Sequence, residues 1–264
     1  MQKEYKKFES SSIFEGMTSI RSIIKGTEFG INNRKIEKIL FDGSKLHKIG
    51  KDVGYLKAVS EKYGYKLEEK SASELEELAL GNSHGGLLAI ASERIIPRLD
   101  ESASLLPGSF YVMLDGIEDP YNFGYCIRSL YAMGCDGIIL SERNWMSAAG
   151  VVSRSSAGAS EMLPMYVSAP LDAVRYFKQG GFEVVCADEK TDNVLGECEL
   201  RLPLFLIIGG EKRGISKSVI SECDTLVKID YGRDFRASLS AASAATMFAY
   251  EIHRQNRHYS IKSH

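Results

Sequence analysis

Apolar positions along the first third of the chain switch between helical and strand spacing. Met17, Ile20, Ile23 and Ile24 recur three and four residues apart, which predicts one buried face on a helix over residues 13–25. Ile39-Leu40-Phe41 predicts a short strand, and residues 53–63 a second helix. A third helix is expected from about Ser73, with Glu76 three residues on completing a capping box. Leu87-Leu88-Ala89-Ile90 closes the region as a strand. Between Ser92 and Gly108 the pattern dissolves around Pro97, Asp100 and Pro107, which marks a join. Beyond it, apolar runs of strand length fall at residues 110–114, 137–140, 165–167, 182–187, 204–208 and 226–229, mostly with helical stretches between. That alternation predicts an α/β fold, a parallel sheet covered on both faces, behind a smaller α/β layer.

Three strand exits carry the candidate chemistry. The first stops at Asp115-Gly116-Ile117-Glu118-Asp119-Pro120, after which Cys126, Ile127, Leu130 and Met133 resume helical spacing. Asn122 is a candidate cap for that helix. Arg128 is expected near its start, beside the carboxyl end of the strand, where open α/β sheets bind ligands. An arginine there can hold a phosphate or polarise a reacting group, and an ordinary surface role is the alternative. The second exit runs from Leu206-Ile207-Ile208 into Gly209-Gly210-Glu211-Lys212-Arg213-Gly214. At the third, Val227-Lys228-Ile229 leads through Gly232 to Ser238-Leu239-Ser240, which opens a long final helix.

The glycines at the second exit do not form a nucleotide fingerprint. Ile215 stands where a P-loop needs its lysine, and the middle glycine of the dinucleotide motif is missing. ATP hydrolysis and hydride transfer are therefore disfavoured, and with them a Rossmann-type enzyme acting on small nucleotides. No apolar run approaches the ~20 residues that span a bilayer. The charged start leads into Ser10-Ser11-Ser12 and not an apolar core, so no secretory signal is read and a cytoplasmic protein is expected. Five cysteines without a Cys-x-x-Cys pair suggest reduced thiols, with neither a metal site nor a disulfide framework. Residues 1–70 hold 15 Lys/Arg against 10 Asp/Glu and the remainder 18 against 25, so positive charge gathers at the N-terminal end. Such a bias suits an RNA backbone, although a solvated lysine-rich surface would look the same. His84, alone before a glycine turn, reads as structural.

Taken in order, and with Ser156-Ala157-Gly158-Ala159 between the first two, these segments resemble the signature of the SpoU/TrmH type of RNA 2'-O-ribose methyltransferases in the SPOUT superfamily. The likeness covers about residues 105–256. More loosely, residues 13–16 and 83–87 look like the substrate-binding domain in front of many such enzymes. The resemblance implies an RNA-binding α/β domain over residues 1–95, a linker over 96–108 and a methyltransferase domain over 109–264. Connection rules favour an unknotted sheet, but the resemblance implies a deep trefoil knot from about Gly209 to the final helix.

It also implies S-adenosylmethionine (SAM) as cofactor, held at Gly209, Ile229 and Leu239, tRNA or rRNA as substrate, and a homodimer through the C-terminal domain. Asn122, Arg128, Glu211 and Ser240 match its catalytic positions. A guanidinium is a poor general base. Arg128 is therefore expected to orient the ribose hydroxyl and a neighbouring phosphate, with Glu211 holding it in a bidentate pair and Asn122 fixing the loop or bonding the acceptor. Two positions depart from the pattern. Asp230-Tyr231 stand where the family usually has Pro-Met, and Ser240 replaces an Asn. A catalytically silent RNA-binding protein on the same scaffold is the alternative. Arg233, Asp234, Phe235 and Arg236 give the third loop cations and a ring suited to RNA.

Overall fold

The computed structural model describes residues 12–81, 84–100, 103, 105–141, 148–210, 214–235 and 237–257. Contacts divide the chain into two compact units, one joining Met1–Ile95 to Asn144–Met162 and the other Ile96–Arg143 to Leu163–His264.

In the first unit β1 (Ile13–Glu15), β2 (Ile36–Asp42), β3 (Lys66–Lys70) and β4 (Leu87–Ala91) form a sheet in the order β1-β4-β2-β3. β4 runs antiparallel to β1 and β2, while β2 and β3 are parallel. Between the strands lie α1 (Gly16–Glu28), α2 (Leu46–Tyr63) and α3 (Ala72–Leu78). Ile20, Ile23 and Ile24 are buried on α1, as their spacing predicts. Residues 13–15, however, are strand, and Gly16 at φ +77° turns the chain from β1 into the helix, a backbone state glycine adopts cheaply. β3 has no apolar run to announce it, because it is an edge strand, where charged residues discourage stray pairing. The capping box lies two residues earlier than expected. Glu74 donates its backbone N–H to the Ser71 hydroxyl, and the Ser71 backbone N–H bonds the Glu74 carboxylate.

Two short helices, α5 (Ala149–Ser155) and α6 (Ala159–Met162), complete this unit. They were expected inside the domain spanning 109–264, yet they pack on β1 and α1. The packing explains the Ser156-Ala157-Gly158-Ala159 segment. Ala157 (φ +52°) and Gly158 (φ +83°) reverse the chain between the helices, and a Cβ on Gly158 would strike the Ser22 side chain of α1. Four charges are buried alongside. Arg34 pairs with Glu161 at 2.8 Å and donates to the Ser92 carbonyl. Arg94 donates to the carbonyls of Ser160 and Ile31, and burial draws its guanidinium below the ordinary value, Glu161 opposing. Glu15 holds Arg154 at 2.6 Å and accepts from the Gly81 N–H. His84 is buried and accepts the Gly86 N–H through Nδ1, a structural role as expected.

The second unit carries a six-stranded sheet in the order β10-β8-β9-β5-β6-β7, with every neighbouring pair parallel. Its elements are β5 (Phe110–Asp115), α4 (Pro120–Ala132), β6 (Gly137–Leu140), β7 (Met165–Val167), α7 (Pro170–Gln179), β8 (Glu183–Ala187), β9 (Leu204–Gly209), α8 (Lys217–Ile220), β10 (Thr225–Val227) and α9 (Ala241–Asn256). The α/β fold with a parallel sheet is therefore as predicted. Alternate strand residues, among them Tyr111, Met113, Val184 and Ile207, share one core with Ala173, Val174 and Phe177 of α7. Phe177 stacks on Phe205 with centroids 4.0 Å apart. The residues pointing the other way, such as Val112, Leu114, Leu206 and Ile208, are equally buried, so these strands read as continuous apolar runs.

Within the expected linker, Pro97 and Leu99 exchange hydrogen bonds with Val167 and so extend the sheet past β7. Cys186 and Cys223 are brought side by side, their Cα atoms 6.4 Å apart across 37 residues of sequence, a closeness the spacing does not reveal. Among the described residues no helix is long and apolar enough to cross a membrane, and no cluster of His, Cys, Asp and Glu could hold a metal.

Glu161→Ala leaves the buried guanidinium of Arg34 without its partner. It should lower unfolding free energy by about 3–5 kcal/mol, the cost of breaking a buried pair from one side. Urea denaturation followed by circular dichroism measures this, and the double change Arg34→Met with Glu161→Leu should recover most of the loss.

Candidate active site

Strand order reverses around β5. The chain runs outward through β6 and β7, then returns to lay β8, β9 and β10 on the other side. At such a reversal the exits of neighbouring strands part and leave a crevice. The cavity of the second unit opens at the exits of β8, β9 and β10, with a volume of about 1080 Å³. That is room for a cofactor-sized molecule with space beside it. Ile208, Ile215, Ile220, Leu226 and Leu239 give apolar walls, and Asp188, Lys190, Lys217, Asp230 and Arg233 a charged rim. The exit of β8 is braced against that of β10, because Asn193 donates its side-chain N–H to the Leu226 carbonyl and the Lys228 N–H bonds the Asn193 carbonyl.

Gly209 and Gly210 end β9 inside this wall. A Cβ on Gly209 would lie 2.7 Å from the carbonyl carbon of Gly214 and 2.9 Å from the Ile215 nitrogen. One on Gly210 would overlap the Gly116 carbonyl at the exit of β5. The side of Gly209 on which a Cβ would stand is filled by the protein's own returning loop. Gly210 donates to the Asp115 carbonyl and accepts from the Gly214 N–H, so the turn is pinned from both sides.

Ile229 and Leu239 also face the cavity, so the three residues line it together. The Leu239 N–H donates to the Tyr231 hydroxyl at 3.2 Å. Ser240 is the N-cap of α9, its hydroxyl accepting the Ser243 N–H. Serine and asparagine cap equally well, so the departure at this position preserves the helix start.

The other catalytic candidates are placed differently. Asp119, not Asn122, caps α4 by accepting the Asn122 N–H at 2.7 Å, with Pro120 in the first turn. Arg128 is the ninth residue of α4 and lies well past its start, about 12 Å along at 1.5 Å per residue. Its side chain is exposed and does not line the cavity of its own chain. No hydrogen bond or ion pair engages it among the described residues. Glu211, with its expected pairing to Arg128, and Arg236 lie outside the described residues. The sequence did not single out Tyr121, Tyr125 and Tyr131 on α4 or Tyr250 on α9, all exposed. The i, i+4, i+7 spacing of Tyr121, Tyr125 and Arg128 was there to be seen. α4 and α9 pack together, with Thr246 donating to Ser129 at 2.7 Å.

A model of the SpoU rRNA Methylase family matches residues 109–250. The chain belongs to this family. It is 28% identical over 253 residues to a 23S rRNA (guanosine-2'-O-)-methyltransferase, RlmB, of Shewanella oneidensis, covering 94% of this chain and 99% of that protein. It is 30% identical over 156 residues to a Putative TrmH family tRNA/rRNA methyltransferase of Staphylococcus saprophyticus, covering 59% of this chain and 62% of the relative. The fold matches that of the SpoU methyltransferase AviRb from Streptomyces viridochromogenes, solved in complex with AdoMet, at a TM-score of 0.73 and 24% identity over 93% of this chain and 90% of that one. Within the family scaffold, the cleft at Gly209, Ile229 and Leu239 is this chain's own arrangement of its second and third strand exits.

Two substitutions probe the cleft. Gly210→Ala should leave a folded protein whose β9 turn is displaced from Gly116, with affinity for S-adenosylhomocysteine reduced at least tenfold by calorimetry. Ser240→Ala should cost about 1 kcal/mol of stability, the usual loss of a serine cap, whereas Ser240→Asn should be neutral within a few tenths. Thermal melts distinguish the two.

Proposed function

We propose that the protein is an RNA 2'-O-ribose methyltransferase that uses SAM and takes tRNA or rRNA as substrate. The observation that carries this is the meeting of Gly209, Ile229 and Leu239 in one cofactor-sized cleft of a SpoU-family chain. The cleft suits such a cofactor, with apolar walls for an adenine face, backbone groups at three strand exits, and charges of both signs at the rim. Bound there, SAM supplies an already activated methyl, so the protein's task is mainly to position the acceptor. Arg128 orients the ribose hydroxyl and its phosphate through a planar fork that lysine cannot reproduce. Asn122 steadies the start of α4 or bonds the acceptor, and Glu211 restrains Arg128. Ser240 keeps α9 aligned beside Leu239. The trefoil knot from about Gly209 to α9, RNA selection by residues 1–95 and a cytoplasmic site of action belong to the same proposal, supported by the family likeness and the N-terminal positive charge.

The position of Arg128 favours a homodimer in which each cleft is completed by the other copy. Arg128 is exposed on α4 at helical spacing with Tyr121 and Tyr125, and Met247 and Tyr250 are exposed on α9, which packs against α4. Covering an apolar stripe of that kind is a usual reason for self-association. In such a dimer, joined across α4 and α9, the cleft of one copy takes Arg128 from the other.

Arg128→Ala should retain S-adenosylhomocysteine binding and lose methyl transfer by about 10²-fold or more, the scale of a positioned catalytic group. Mixing it with Gly210→Ala, after exchange of subunits, should restore part of the activity, since one hybrid site has both an intact cleft and an intact arginine. Transfer of radiolabel from SAM to total RNA of cells lacking the gene reads both. Wild type that transfers no methyl to any cellular RNA identifies the silent binder, and mixtures as inactive as their components rule out shared sites.

A further inference from the structure

We propose that Phe235 is a stacking face for the nucleobase of the nucleotide being methylated, and that Tyr231 is the residue that positions it. This rests on the methyltransferase reading above. Phe235 lines the cavity and keeps 55% of its surface exposed, a poor use of a phenylalanine unless something covers it. The ring is nonetheless held. It packs edge-to-face on Tyr231, with centroids 5.9 Å apart and planes at 67°. Tyr231 is tied in turn, because its hydroxyl accepts the Leu239 N–H, one residue before the cap of α9. A continuous path therefore runs from the start of a 16-residue helix, through Leu239 and Tyr231, to one exposed aromatic face at the cleft.

Planar heteroaromatic rings are what such a face takes, since every base offers a π surface and stacking tolerates any sequence. Arg233 in the same loop, with Lys217 and Lys228 on the cavity wall, supplies cations for the phosphates on either side; none of the three is ion-paired among the described residues. The adenine of the cofactor is the other ring of this kind. Tyr231 is half-buried beside Leu239, whereas Phe235 is exposed, which assigns Phe235 to the ring that arrives from solution with the RNA.

The experiment compares wild type, Phe235→Ala, Phe235→Trp and Tyr231→Ala in the full-length protein. Each is assayed with total tRNA and total rRNA from cells lacking the gene and titrated with S-adenosylhomocysteine. Phe235→Ala should raise KM for RNA about tenfold, within the range for removing one base-stacking ring, with kcat and S-adenosylhomocysteine affinity within twofold. Phe235→Trp should keep KM near wild type. Tyr231→Ala should raise KM as Phe235→Ala does, and the double variant should add little, since both act through one ring. In Phe235→Trp the new indole fluorescence, after subtraction of the signal from the single native tryptophan, Trp145, should be quenched by RNA and not by S-adenosylhomocysteine. That readout needs no methyl transfer, so it tests the stacking face even if the enzyme proves silent. An unchanged KM in Phe235→Ala, additive losses in the double variant, or quenching by S-adenosylhomocysteine instead of RNA each overturn the proposal.

Discussion

Where β9 ends, backbone packs directly on backbone, and the arrangement of the second unit follows from that contact. Gly209 abuts the returning loop at Gly214 and Ile215, while Gly210 abuts the Gly116 carbonyl at the neighbouring strand exit. With no side chain between them, the exits of β5 and β9 stay together, and the crevice opens on the β8 and β10 side. The glycines contribute to the cleft mainly by letting its wall close. Their place in the motif is thus a packing demand as much as a ligand demand.

A different constraint shapes the other unit. Arg34, Arg94 and Glu161 sit among apolar residues, each satisfied by carbonyls or by the others. Buried charges of this kind give little net stability, but each tolerates only one geometry. They specify where α6 seats against α1 more sharply than apolar contact could. Gly26 and Gly158 allow the close approach that this geometry needs.

Much of the second unit was legible because its strands are buried on both faces and announce themselves as apolar runs between turn residues. The grouping of Gly209, Ile229 and Leu239 was implied by the family resemblance, and parallel strands place their exits at one edge. Other features were hidden for identifiable reasons. β3 is charged because it is an edge, and β1 was absorbed into a helix pattern that Gly16 interrupts. Asn122 resembled a cap, but Asp119 is better placed, three residues before the N–H it accepts. The distance of Arg128 from its own cleft is a matter of helix length that no local motif encodes. The seating of residues 149–162 on the first unit depends on pairs such as Arg34 and Glu161, 127 residues apart.

That seating has a consequence for how the chain is made. The first unit draws its last helices from residues 149–162, after β5 and β6 of the second unit have already been synthesised. Domains commonly fold one after another as they leave the ribosome, but here the N-terminal unit emerges with Arg34 and Arg94 still lacking Glu161 and the Ser160 carbonyl. It must wait, incomplete, until more than half of the chain has been translated. The two units are thus interleaved in time as well as in sequence, and neither can be exchanged for a homologous module by a single cut in the gene.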